Sequence, residues 1–64
     1  MYNVDVIPVN PDYPVTHVLY ATWSTACEVA RDFSLYSDVL QATVTDSKFS
    51  KVLATFENGI ADFD

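Results

Sequence analysis

The sequence predicts an α+β fold: an antiparallel sheet of four strands, or five, with one helix on one face, in the order β-β-α-β-β. Three observations carry this expectation. Apolar and polar residues alternate with period two in several short segments, the pattern of strands with one buried face. One segment, from Thr22 to Phe33, instead gathers its apolar residues on a single arc when each residue advances by about 100°. No repeat, low-complexity run or linker divides the chain, so residues 1–64 read as one domain.

The first strand is expected over Tyr2-Asn3-Val4-Asp5-Val6, which alternates strictly. The segment from Ile7 to Pro14 carries three prolines. They withhold amide donors and bias the residues before them toward extended geometry, so it reads as a stiff loop. Val15 to Tyr20 is rich in β-branched and aromatic residues and reads as a second strand, hairpin-paired with the first.

Thr22 is placed to cap the helix, which sets Trp23, Ala26, Cys27, Ala30 and Phe33 on one arc and Ser24, Thr25, Glu28, Arg31 and Asp32 on the other. A second start uses Thr25 as cap with Glu28 completing a capping box, leaving Trp23 outside. The helix should fade between Phe33 and Ser37, where Ser37-Asp38 favours local side-chain hydrogen bonds. Val39 to Thr45 is the third strand, with Leu40, Ala42 and Val44 on one side. Asp46-Ser47-Lys48 is a turn, and Lys51 to Glu57 is the fourth strand, with Val52, Ala54 and Phe56 together. Asn58-Gly59 suits a type I′ turn. A fifth strand after it pairs Glu57 with Ile60, Phe56 with Ala61 and Ala54 with Phe63; the competing reading is a frayed acidic tail ending in Asp62 and Asp64. The expected core packs the helix arc against Val4, Val6, Leu40, Ala42, Val44, Val52, Ala54 and Phe56, and leaves the other sheet face partly bare.

Nine acidic residues against three basic ones give a net charge of −6. That charge repels nucleic-acid phosphates and anionic membranes, so neither direct nucleic-acid binding nor membrane binding is expected. With no signal segment and no apolar run of about 20 residues, the chain reads as cytoplasmic. One cysteine forms no intrachain disulfide, and one cysteine with one histidine is too few ligands for a zinc site. A single glycine leaves no phosphate cradle, and no catalytic motif occurs. No catalytic residue, cofactor or metal is therefore expected. Cys27 lies on the apolar arc and reads as an inert core residue, and His17 as a structural histidine. Tyr13, Tyr36 and Phe49 fall in loops or at element ends that a core cannot fully claim, the situation of interface anchors.

Tyr20-Ala21-Thr22 leads into a helix with Thr22, Ala26, Glu28 and Ala30 in the form T-x-x-x-A-x-E-x-A. This resembles small phage-encoded inhibitors of a host machine, namely the short podophage inhibitors of bacterial RNA polymerase; small anti-CRISPR proteins share the general build. The resemblance implies a non-enzymatic protein that acts in the host cytoplasm by binding a host protein or protein complex. In that reading Asp12, Tyr13, Glu28, Asp32, Tyr36, Asp38 and Phe49 form the protein-binding set: acids speed encounter with a basic surface and aromatics set residence time. Two alternatives stand beside it. One is a structural or assembly protein, a homodimer burying Val39, Leu53 or Ile60; the other is a DNA mimic whose acids converge on one face.

Overall fold

Val4 and Val6, two positions apart on the first strand, are both buried, and the chain is built outward from them. In the computed structural model, which describes residues 1–63, β1 (Tyr2–Pro8) lies between β2 (Thr16–Tyr20) and β3 (Val39–Asp46). Beyond β3 come β4 (Lys51–Glu57) and β5 (Ile60–Phe63), giving a five-stranded sheet in the order β2-β1-β3-β4-β5. Every neighbouring pair is antiparallel. The helix α1 (Trp23–Ser34) joins the edge strand β2 to β3 and so carries the chain past β1.

Register explains which side chains are buried. Val4 lies opposite Val44, Val6 opposite Ala42, Ala42 opposite Phe56 and Val44 opposite Ala54. Directly opposed residues point to the same sheet face. These six, with Ala26 and Ala30 of α1, make the buried cluster. The small alanines on α1 let its backbone come close to the strands, and Tyr2, Tyr20, Cys27, Phe33, Val39 and Ala61 pack around the margin.

Thr22 is the N-cap of α1: its backbone is extended and its hydroxyl accepts from the amide of Thr25 at 3.4 Å. The Thr25 start is not used, and Trp23 is the first helical residue. Asn58 and Gly59 both have positive φ, 52° and 78°, as the type I′ hairpin requires. β5 pairs in the expected register, Glu57 with Ile60, Phe56 with Ala61 and Ala54 with Phe63. Asp64, the last residue of the alternative acidic tail, lies outside the described residues.

Four sequence expectations are corrected. β1 continues past Val6 through Ile7 and Pro8, which pair with Gln41 and Val39. Because the register shifts there, Leu40 is the residue without a partner, and it is 56% exposed rather than in the core. A second shift, between Val44 and Thr45, places Val52 opposite Thr45 instead of continuing the buried row, so Val52 is 39% exposed. Trp23 is 37% exposed and joins a surface aromatic group, its ring centroid 5.7 Å from that of Tyr2 and 6.3 Å from that of Phe63.

The strand directions give the molecule two distinct ends. At one lie the Val9–Val15 connection, the loop from Leu35 to Asp38 and the Asn58-Gly59 turn, since Pro8 pairs with Val39 and Glu57 with Ile60. At the other, Tyr2 pairs with Asp46, and the amide and hydroxyl of Ser47 both donate to the carbonyl of Met1. No helix among the described residues is long and apolar enough to cross a membrane.

Candidate functional site

The end formed by the proline-rich connection brings two exposed tyrosines, Tyr13 and Tyr36, close to acidic residues. Its local structure follows from the sequence. The Asn10 side-chain oxygen accepts from the amide of Asp12 at 3.0 Å, and the Asn10 carbonyl accepts from that of Tyr13 at 3.1 Å, making a turn that projects both residues. The amide of Val9 donates to the carbonyl of Asp38 at 2.9 Å and ties this turn to the helix exit. There Leu35 and Tyr36 close the last turn of α1 on the carbonyls of Asp32 and Phe33. The result is a shallow groove lined by Pro8, Tyr13, Pro14, Phe33, Tyr36 and Asp38. Phe33 and Tyr36 meet edge to face, centroids 5.8 Å apart. Tyr13 and Tyr36 are both exposed.

Charge is distributed unevenly between the two ends. Asp12, Asp38 and Glu57 sit at the groove end, on the proline-rich connection, the helix exit and the β4–β5 turn. Both lysines sit at the other: Lys48 in the β3–β4 turn, Lys51 opposite Asp46. The third cation, Arg31 on α1, lies 4.0 Å from the adjacent Asp32, with both side chains exposed.

Of the residues expected to bind, Tyr13, Tyr36 and Asp38 therefore line one groove, and Asp12 adjoins it in the turn that carries Tyr13. Asp32 is exposed on the last turns of α1. Glu28 lies mid-helix and borders a different shallow groove with Cys27, Arg31, Phe56 and Phe63. Phe49 is at the far end, with the Lys48 ammonium 5.4 Å from its ring centroid. Carboxylates occupy the helix at Glu28 and Asp32 and the sheet face away from the buried cluster at Asp5 and Asp62. The convergence that a duplex mimic requires is thus not present among the described acids.

A second constellation centres on Asp5, on the sheet face away from the buried cluster. Asp5 stands opposite His17 on one side and Thr43 on the other. The Nδ1 of His17 contacts Asp5 Oδ1. Asn3 Nδ2 donates to the same oxygen. Thr43 and Thr45 donate to Oδ2 at 3.5 and 3.4 Å. The sequence reads His17 as a structural histidine but does not name Asp5 as the residue it meets. Its signal was the β1–β2 hairpin, because pairing Val4 with Val18 sets Asp5 against His17. The arrangement has no nucleophile aligned on the histidine: both threonines are turned to the carboxylate. No group of three metal-ligating side chains occurs among the described residues. Burial raises the pKa of Cys27 above its ordinary value, which disfavours the thiolate.

Comparison with protein-family models, curated proteins and solved structures finds no match to this chain.

Proposed function

We propose that this chain is a non-enzymatic, acidic binding protein of the small phage-encoded inhibitor type. It docks on a basic surface of a bacterial nucleic-acid machine, RNA polymerase or a CRISPR effector, and blocks it sterically and by charge. The observation that carries this reading is the gathering of Tyr13, Tyr36 and Asp38 around one groove, with Asp12 next to Tyr13 in the adjoining turn, at the end of the molecule opposite both lysines. Two exposed tyrosines supply rigid contact area at low conformational cost. The acids around them steer a basic partner to that end, while the lysines disfavour approach from the other. In this reading α1 covers one face of the sheet, and its exit loop holds Tyr36 and Asp38 in place.

The test is binding of the labelled chain to purified bacterial RNA polymerase and to purified CRISPR effectors, at low and high salt. Tyr13→Ala with Tyr36→Ala should weaken binding by roughly tenfold or more, equal to about 1.4 kcal/mol. Asp12→Lys with Asp38→Lys should slow association and flatten its salt dependence. Phe49→Ala, at the other end, should leave binding unchanged. Binding that survives the groove substitutions but falls with Phe49→Ala would overturn the assignment of the docking end. No binding to any such machine would overturn the choice of partner.

A further inference from the structure

The outer edge of β2 is the least defended part of the sheet. β2 pairs with β1 on one side only, and no turn or loop backbone hydrogen bond among the described residues reaches Thr16–Tyr20. Proteins usually blunt such an edge with charges, prolines, bulges or brevity, because unpaired backbone groups are a template for another strand. The opposite edge, β5, is short and carries Asp62. β2 has none of these devices: it contains no Asp, Glu, Lys or Arg, nor does any position from Tyr13 to Cys27. Its pairing with β1 also runs without a register shift. Val18 is 38% exposed although it lies opposite the buried Val4, and Leu19, on the other face, is 55% exposed.

We propose that β2 pairs antiparallel with β2 of a second copy of this chain, about a two-fold axis at Val18, so that two five-stranded sheets become one continuous sheet. The strand is self-complementary in that register. Val18 meets the second copy's Val18, His17 meets its Leu19 and Thr16 meets its Tyr20, so no like charges are opposed. Charge favours a second copy here more than elsewhere, because a net charge of −6 opposes self-association everywhere except along this neutral stretch. Antiparallel pairing also sets the acidic end of each copy alongside the lysine end of the other, whereas parallel pairing would set acid against acid. The inference does not depend on the docking reading above.

Sedimentation equilibrium over a concentration series reaching the millimolar range tests it, on the wild type, Val18→Lys, Leu19→Lys and, as a control, Ile60→Lys on the other edge. The expected result is a wild-type mass that rises toward two chains. Val18→Lys and Leu19→Lys, which probe opposite faces of the same edge, should each weaken the dimer by roughly tenfold or more, about 1.4 kcal/mol. Ile60→Lys should leave it intact. Circular dichroism verifies folding, and if Val18→Lys does not fold, Leu19→Lys decides. A wild type that stays monomeric throughout would overturn the proposal. So would a dimer lost in Ile60→Lys but kept in the β2 variants.

Discussion

The amide of Gly59 donates to the hydroxyl of Ser34 at 2.9 Å, and that hydroxyl donates in turn to the carbonyl of Arg31 at 2.7 Å. One buried side chain therefore joins the last turn of α1 to the β4–β5 hairpin. Ser34 is only 1% exposed, so water does not substitute for it.

Ser34→Ala removes the acceptor of the Gly59 amide and should cost about 1–2 kcal/mol. Urea unfolding measures this directly. Gly59→Ala should cost about 1–2 kcal/mol, because φ at Gly59 is +78° and an L side chain is strained there; the contact of its Cβ with Leu35 Cδ2 adds little, since the Leu35 side chain is exposed and can turn aside.

Asp5→Ala should destabilise the fold by about 1–3 kcal/mol, because it strands the hydroxyl of Thr43, a buried residue, together with the donors of Asn3, His17 and Thr45. The His17 side chain is exposed, so His17→Ala should cost less than about 1 kcal/mol. A double-mutant cycle between the two positions separates the pair energy from the loss of the threonine contacts.

Cys27 should react slowly with iodoacetamide at neutral pH and rapidly once the chain is unfolded, since burial raises its pKa. The sign for stability follows. Below the ordinary thiol pKa of 9.0 both states are neutral and the residue has no pH-dependent effect. As pH rises past it the unfolded thiol ionises first, and stability falls. Unfolding midpoints at neutral and alkaline pH, for the wild type and Cys27→Ala, measure the share due to this residue.

Trp23 emission should report on β5. Its ring lies beside those of Tyr2 and Phe63, and Phe63 also meets Phe56 edge to face at 6.3 Å. Phe63→Ala should shift the emission to longer wavelength by exposing the indole, with a stability loss near 1 kcal/mol for an exposed aromatic. An unchanged spectrum would mean that β5 does not shield Trp23.

The strands, the helix and even the register of the terminal hairpin were legible because alternation, the Thr22 cap and Asn58-Gly59 each act over a few residues. Leu40 and Val52 were misplaced for a shared reason. Each follows a one-residue register shift, at Ile7/Pro8 and at Val44/Thr45, and a bulge depends on how two distant strands meet, which strict alternation does not encode. Trp23 was assigned to the core from its angle on the helix. At the first helical turn that angle points it to the margin, where neighbouring rings cover it only in part. Within the candidate site, Tyr13 and Tyr36 were recognisable as surplus to a core. Their meeting with Asp38 in one groove was not, because it depends on the Val9–Asp38 backbone bond between separate loops. The Asp5 network was hidden similarly, its threonines lying 38 and 40 positions along the chain.

The place of β1 inside the sheet has a consequence for how the chain is made. It leaves the ribosome before the four other strands of its sheet, yet its β3 partner is made only after β2 and α1. Until then a β1–β2 hairpin has no third strand to secure it, and an isolated hairpin is marginal in water. Assembly during synthesis therefore waits for β3. Closing contacts so far apart in sequence makes this small chain a slower folder than a helical bundle of equal length.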